Sequence, residues 1–200
     1  MAMPHAKGQS GFSLIELVVA SAIGLVALSV VGSVYVKGQQ FASSRSQQLM
    51  LVQDMNDTLR MLKHDIQRAG YQVGANSSFV ISGATKTIHL SQLSGGVATC
   101  LSYGYADGTE QHYRSYYLSG DMLRVFSTKS SVMDTSGACT HGHAALDDRQ
   151  LKVTHFSVEE SQLSGPSVAS QFLTINLAVA TRDDTLSAAR STQVKIRNWN

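Results

Sequence analysis

Residues Phe12 to Val36, FSLIELVVASAIGLVALSVVGSVYV, form a run of 25 residues carrying one charged side chain, Glu16. Wound as an α-helix at about 1.5 Å per residue, the run is roughly 37 Å long, enough to cross the ~30 Å hydrocarbon layer of a bilayer. A helix buried in a soluble core would keep a polar face. Beyond Glu16 this stretch offers only Ser, Gly and Tyr as relief from apolar residues, so the expectation is membrane insertion. The charge distribution says the same. Of the chain's 16 basic and 14 acidic residues, only Lys7 and Glu16 fall within the first 36 positions. The chain is an apolar N-terminal segment joined to a polar body rich in Ser and Gly.

The formal net charge of +2, without a run of like charges, argues against a nucleic-acid binder, which needs clustered Lys and Arg to neutralise several phosphates. No small-molecule substrate and no cofactor are implied. No G-x-S-x-G, H-E-x-x-H or phosphate-cradling Gly loop is present, so the reading is not an enzyme.

A secretory signal would place a 7 to 15 residue apolar centre before a small-residue cleavage site. Here an 11-residue leader, MAMPHAKGQSG, precedes a longer apolar run, and no A-x-A site closes that run. The distinctive feature lies at its front edge. The string Gly11-Phe12-Ser13-Leu14-Ile15-Glu16-Leu17 resembles a type IV prepilin. That resemblance implies cleavage by prepilin peptidase between Gly11 and Phe12, N-methylation of Phe12, and a helix that stays attached to the membrane. It also implies a role for Glu16. A carboxylate inside a bilayer costs about 2.5 to 3.5 kcal/mol on insertion scales, and in a pilin-like filament it would pair with the α-amine of Phe12 on an adjacent subunit. The plainer alternative is that Glu16, about 6 Å along the helix from the processed end, snorkels to the interface. Glu16, Ala20, Gly24, Leu28 and Gly32 recur every four residues, and such a stripe of mostly small side chains permits close helix packing. Major pilins often carry a Pro partway along this helix. This chain has none between Pro4 and Pro166, so a kink would have to arise at Gly24, Gly32 or Gly38.

After Val36 the chain turns polar and then regains a helical rhythm. Leu49, Val52, Met55, Leu59, Leu62, Ile66 and Ala69 form an apolar stripe that predicts helix packing on the chain's own sheet, a dimeric coiled coil being the alternative. Gly70 should stop the helix. The stretch from Leu59 to Tyr71 resembles PilW-type minor pilins and J-type pseudopilins through Asp65, Ala69, Gly70 and Tyr71. The closing Ile196-Arg197-Asn198 is similar to the C-terminal strand of the same group, which includes the prepilin peptidase-dependent protein B proteins.

The remainder reads as short strands: Phe79–Ile81, Thr87–Leu90, Thr99–Tyr105, Gln111–Leu118, Met122–Ser127, Leu151–Glu159, Gln171–Ala180 and Ser191–Asn198. Asp107-Gly108, Ser119-Gly120-Asp121 and Ser164-Gly165-Pro166 are the turns, and 130–149 is a loop. A long helix followed only by strands is an α+β arrangement, here of pilin-like type. The expected organisation is leader 1–11, membrane and assembly helix 12–36, amphipathic continuation 37–70, and a β-rich periplasmic head 71–200.

An exported head places Cys100 and Cys139 in an oxidising compartment, where they are expected to form a disulfide, free buried thiols being the alternative. Cys139, His141 and His143 alternate as metal ligands would, but a disulfide would consume Cys139, and no metal is expected. Asp147-Asp148 and Asp183-Asp184 lack the spacing of a calcium loop and read as solvated turns. The resemblance implies a minor pilin that helps initiate type IV pilus assembly near the tip, in a Gram-negative inner membrane and then in the pilus. Its partners would be other minor pilins, the major pilin, prepilin peptidase and the inner membrane. A J-type pseudopilin of a type II secretion system shares every one of these motifs. A tip adhesin or DNA receptor is a third reading, for which 75–190 shows no basic or aromatic cluster.

Overall fold

The structure is a computed structural model that describes residues 11, 13–129, 132–164 and 169–197. Its first element, α1 (Leu14–Ile66), is a 53-residue helix, and the chain divides into two compact units between Gln47 and Gln48.

Within the first unit every described residue is exposed, including Leu17, Val18, Ile23, Leu25, Val26 and Val31. The helix is long and apolar enough to cross a membrane. Its serines suit that setting, because Ser21, Ser29 and Ser33 donate their hydroxyls to the carbonyls of Val18, Leu25 and Val30 at 2.8 to 2.9 Å. Such back-bonding leaves no hydroxyl in need of water.

The second unit packs the end of α1 on an antiparallel sheet. Leu51, Met55, Leu59, Leu62 and Ile66 are buried against it, with Ala69 just beyond. The stripe therefore starts differently from the expected one: Leu49 is 70% exposed, Val52 is partly buried, and Leu51 takes the inward position. Leu51, Met55 and Leu59 at successive spacings of four follow the 3.6-residue helix more closely than a run that starts at Leu49. The basic residues Lys63 and His64 occupy the last turn, where the helix dipole favours positive charge. The helix tightens through short bonds from Arg68 N to Asp65 O and Ala69 N to Ile66 O, both 3.0 Å, and ends at Gly70 in the left-handed region, φ 73°.

The strands are β1 (Ile88–Ser94), β2 (Val97–Ala106), β3 (Gln111–Ser119), β4 (Met122–Thr128), β5 (His143–Ala144), β6 (Leu151–Ser164), β7 (Ala169–Thr181) and β8 (Ser187–Lys195). Their order is β5-β4-β3-β2-β6-β7-β8, with β1 beside β2. The two halves of this sheet meet at one residue pair, Ala98 with Val158. β1 and β2 form a hairpin closed at Ser94 and Val97. Both intervening residues, Gly95 and Gly96, have positive φ, as a type I′ turn requires.

Several strand expectations need correction, among them Thr87–Leu90, which runs Ile88–Ser94, and Leu151–Glu159, which runs on to Ser164. Phe79–Ile81 is not a strand; Phe79 and Ile81 instead pack on the sheet face opposite α1. The last strand runs Ser187–Lys195 rather than Ser191–Asn198, because residues from Ser187 onward pair with β7 and Arg197 lies past its end; Asn198 lies outside the described residues. The 130–149 region contains the short β5, paired to β4.

β2 is buried on both faces. Leu101, Tyr103 and Tyr105 join the α1 core, while Cys100 joins a second core with Tyr113, Tyr117, Ile81, Met133, Ala138 and Cys139. That second core is built from irregular chain, and the Cys100–Cys139 disulfide, with Cα atoms 6.3 Å apart, ties it to β2.

Candidate functional site

The first candidate site is the start of α1. Gly11 is exposed and nonhelical, and Phe12 lies outside the described residues. Ser13 precedes the first helical residue, and its backbone N–H donates to Glu16 Oε2 at 3.1 Å. This is the return half of a capping box, in which an acid three residues into the helix serves an otherwise unpaired amide. Its sequence signature, Ser-x-x-Glu, is present at 13–16. Glu16 thus has a local function at the helix start beside any role between subunits. Further along, a Cβ placed on Gly24 or Gly32 would meet nothing within 4 Å, and Ala20 is exposed.

The second candidate lies in the head unit, at the end of α1 remote from Gln48. Asp65 accepts a hydrogen bond from Tyr116 Oη at 2.6 Å, and its carboxylate lies 3.0 Å from Arg114 Nη1. Both partners stand on β3, so this acid ties the helix end to the sheet. Burial, followed by the Asp65 contact, pushes the Tyr116 hydroxyl well above its usual range, so it remains a donor. Ala69 is fully buried, and Gly70 donates its N–H to Gly104 O at 2.9 Å. Gly104 is required by close approach: a Cβ there would enter the Phe79 ring, which in turn packs edge-on against Tyr113 with centroids 5.7 Å apart.

Tyr71, half-exposed, opens onto a cleft of about 620 Å³ lined also by Gln67, Arg68, Tyr105, Asp107, His112 and Arg197. Tyr105 and His112 are cross-strand partners, stacked with centroids 4.5 Å apart and planes 10° from parallel. Arg68 lies 6.0 Å from the Tyr105 ring centre. Asp107 is occupied locally: one oxygen accepts from Glu110 N at 3.1 Å and the other meets His112 Nε2 at 2.8 Å. The His112 contact first, then the backbone amides, hold its carboxyl at about 2.

The two stretches that carry the family resemblance, Asp65–Tyr71 and Ile196-Arg197, meet at this cleft. The view that 75–190 contributes no basic or aromatic cluster is therefore incomplete. Tyr105 and His112 supply the aromatic wall, while the arginines come from outside that range. An alternating Tyr103, Tyr105 and Tyr113 in neighbouring strands was the available signal; the approach of Arg197 had none.

The described residues also bring Asp107, Glu110 and His112 within 4.8 Å of one another, as a metal site would. However, Lys129 lies 2.7 Å from Glu110 and His112 is engaged with Asp107, so each of the three groups already has a partner. In the alternating run at 139–143, Cys139 is in the disulfide, and His141 Nδ1 lies 2.6 Å from Thr140 Oγ1. The acidic pairs close turns: Asp147 accepts from Arg149 N and Gln150 Nε2, Asp183 accepts from Thr185 N, and Asp184 pairs with Lys152.

An apolar, membrane-competent helix with an acid in its first turn, leading into an antiparallel sheet, defines a type IV pilin-like prepilin. Residues 6–32 match the prokaryotic N-terminal methylation motif. Residues 44–196, more than half of the chain, match prepilin peptidase-dependent protein B, and the chain belongs to that family. It is accordingly a membrane-anchored minor pilin or pseudopilin, and both matches describe structural proteins rather than enzymes. No curated protein and no solved structure matches the chain.

Proposed function

We propose that this chain is a minor pilin that helps initiate type IV pilus assembly and resides near the tip. The observation that carries the reading is the methylation motif at 6–32 followed by the minor-pilin-type family match at 44–196 in one chain. In this reading prepilin peptidase cuts between Gly11 and Phe12, Phe12 is N-methylated, and the helix leaves a Gram-negative inner membrane to enter the filament, with the head in the periplasm. Ala20, Gly24 and Gly32 let neighbouring helices approach, supported by the open space around both glycines. Glu16 exchanges its capping bond to Ser13 for the positive amine of an adjacent Phe12. In low dielectric the attraction between two full charges exceeds that between a carboxylate and one backbone N–H.

Processing should remove 11 residues, roughly 1.2 kDa from a chain of 21.5 kDa and 200 residues, only when prepilin peptidase is present. An unchanged mass in both cases would overturn the assignment. Glu16→Val should be cleaved normally yet be depleted from sheared pili at least about tenfold, the effect of losing one desolvated charge pair. Normal incorporation would remove the pairing role. The J-type pseudopilin reading shares the Asp65 and Ala69-Gly70-Tyr71 motif. Deletion of the gene separates the two: loss of pili with intact protein secretion supports the pilus, and the converse supports the secretion system.

A further inference from the structure

We propose that the cleft at the end of α1 receives an acidic side chain presented by the head of a neighbouring pilin-like subunit, with Arg68 and Arg197 as its carboxylate-binding groups. The first argument is charge. Arg114 and Arg182 have Asp65 and Asp121 as partners, whereas Arg68 and Arg197 are exposed and make no ion pair among the described residues. Among the described residues that line the cleft Asp107 is the one acid, and His112 and the Glu110 amide already engage its oxygens. Asp107 is exposed, but both of its oxygens are engaged by these neighbours, and the two guanidiniums have no carboxylate partner among the described residues. Such groups suit a carboxylate, which accepts two parallel N–H bonds from one guanidinium.

The second argument is the wall. Tyr71 and the stacked Tyr105–His112 pair give a rigid aromatic surface around the charge, and Tyr with Arg is the pairing on which protein interfaces concentrate their binding energy. The supports of this wall are fixed: Tyr105 is almost fully buried, Ala106 N donates to Tyr71 O at 2.8 Å, and Ile196 N donates to Gln171 O at 3.0 Å just before Arg197. The aromatic wall and the backbone that leads into Arg197 are therefore set in place before a partner arrives, which lowers the ordering cost of binding. Two arginines are too few for a nucleic-acid backbone, which demands several neutralised phosphates. The choice of a protein partner rests on the pilin-like reading, in which heads become neighbours in an assembly.

The test places photoreactive benzoylphenylalanine at Gln67 in the full chain, produced in its own cells. Illumination should attach it to another pilin-like subunit, at a peptide bearing Asp or Glu next to the attachment point. Arg68→Gln with Arg197→Gln should cut the yield about tenfold, the effect of removing charge-assisted hydrogen bonds, while Arg68→Lys with Arg197→Lys retains part of it. An unchanged yield in the glutamine variant, attachment to a peptide lacking acids, or attachment to lipid or nucleic acid overturns the proposal. A second measurement covers the case of no attachment. The full chain in detergent micelles is titrated with acetyl-Tyr-Glu-Glu-amide and with its Gln-Gln analogue while the arginine Nε–H resonances are followed. Arg68 and Arg197 should shift with the acidic peptide alone, and absence of that shift also overturns the proposal. Failure of the pilin reading is distinguishable: it appears as an unchanged mass with and without prepilin peptidase, whereas failure of the cleft leaves that processing intact and the arginine substitutions silent.

Discussion

The two parts of α1 share one backbone geometry and differ in everything that stabilises them. From Ser13 to Leu49 each described side chain is exposed, whereas Leu51, Met55, Leu59, Leu62 and Ile66 are sealed against the sheet. In the first part the hydrophobicity runs all round the helix, so its partner is a medium, lipid, rather than a surface. In the second part the apolar residues keep to one face, and the opposite face carries Asp57, Arg60, Lys63 and His64. Hydrophobicity alone therefore says that a helix must be covered; its periodicity says whether the cover is the chain itself.

This contrast can be broken most directly by equivalent truncations in the two parts. Leu62→Ala should destabilise the head by about 2 to 5 kcal/mol, through lost burial and a residual cavity. Val26→Ala should shift the same transition by less than about 0.5 kcal/mol, as exposed positions do. Urea titration of the full chain in detergent, followed by the near-ultraviolet signal of the sheet tyrosines, compares them. Similar losses would mean that the first part also packs on the head.

A smaller effect separates the sheet's two faces. The face toward α1 is sealed by a regular helix, but the opposite face at β2 and β3 is covered by irregular chain that the Cys100–Cys139 bond closes. Cys100→Ser with Cys139→Ser should cost about 2 to 4 kcal/mol, since the bridge restricts a long loop in the unfolded chain. Hydrogen exchange should rise first around Ile81 and Met133 and leave β6 and β7 protected. A uniform rise would show that the two halves of the sheet unfold as one.

The smallest effect concerns the cleft. The Asp107 carboxyl is held at about 2, below its ordinary 3.8, chiefly by His112. A depressed acid stabilises the folded state above the unfolded value and loses that contribution as pH falls from about 4 to about 2. Asp107→Asn should therefore flatten the stability profile in that window. An unaltered acid limb would show that Asp107 does not couple to folding.

Much of this architecture was legible in residue order. The Gly11 to Leu17 motif, the apolar run, the Ser119-Gly120-Asp121 turn and the stop at Gly70 are local, and local sterics and solvation decide them. The Gly95-Gly96 turn is equally local but is not among the expected turns, and the strand expected over Thr87–Leu90 runs Ile88–Ser94. The misplaced elements depend on distant cover. Phe79 reads as strand by composition, yet its position is decided by Gly104, which leaves room for the ring. Leu49 and Leu51 are alike as residues, and only the direction of the sheet beneath the helix distinguishes them.

What the sequence by itself determined is a helix that belongs in lipid, a processing motif at its front edge, an α+β head and a pair of cysteines placed to close a loop. Tertiary structure alone decided that Asp65 meets Arg114 and Tyr116 and that Arg68 and Arg197 share one cleft. The reason is range. Periodicity and turn chemistry act over a few residues, whereas the meeting of Arg68 with Arg197 depends on strand order, which arises from the summed burial of the whole sheet.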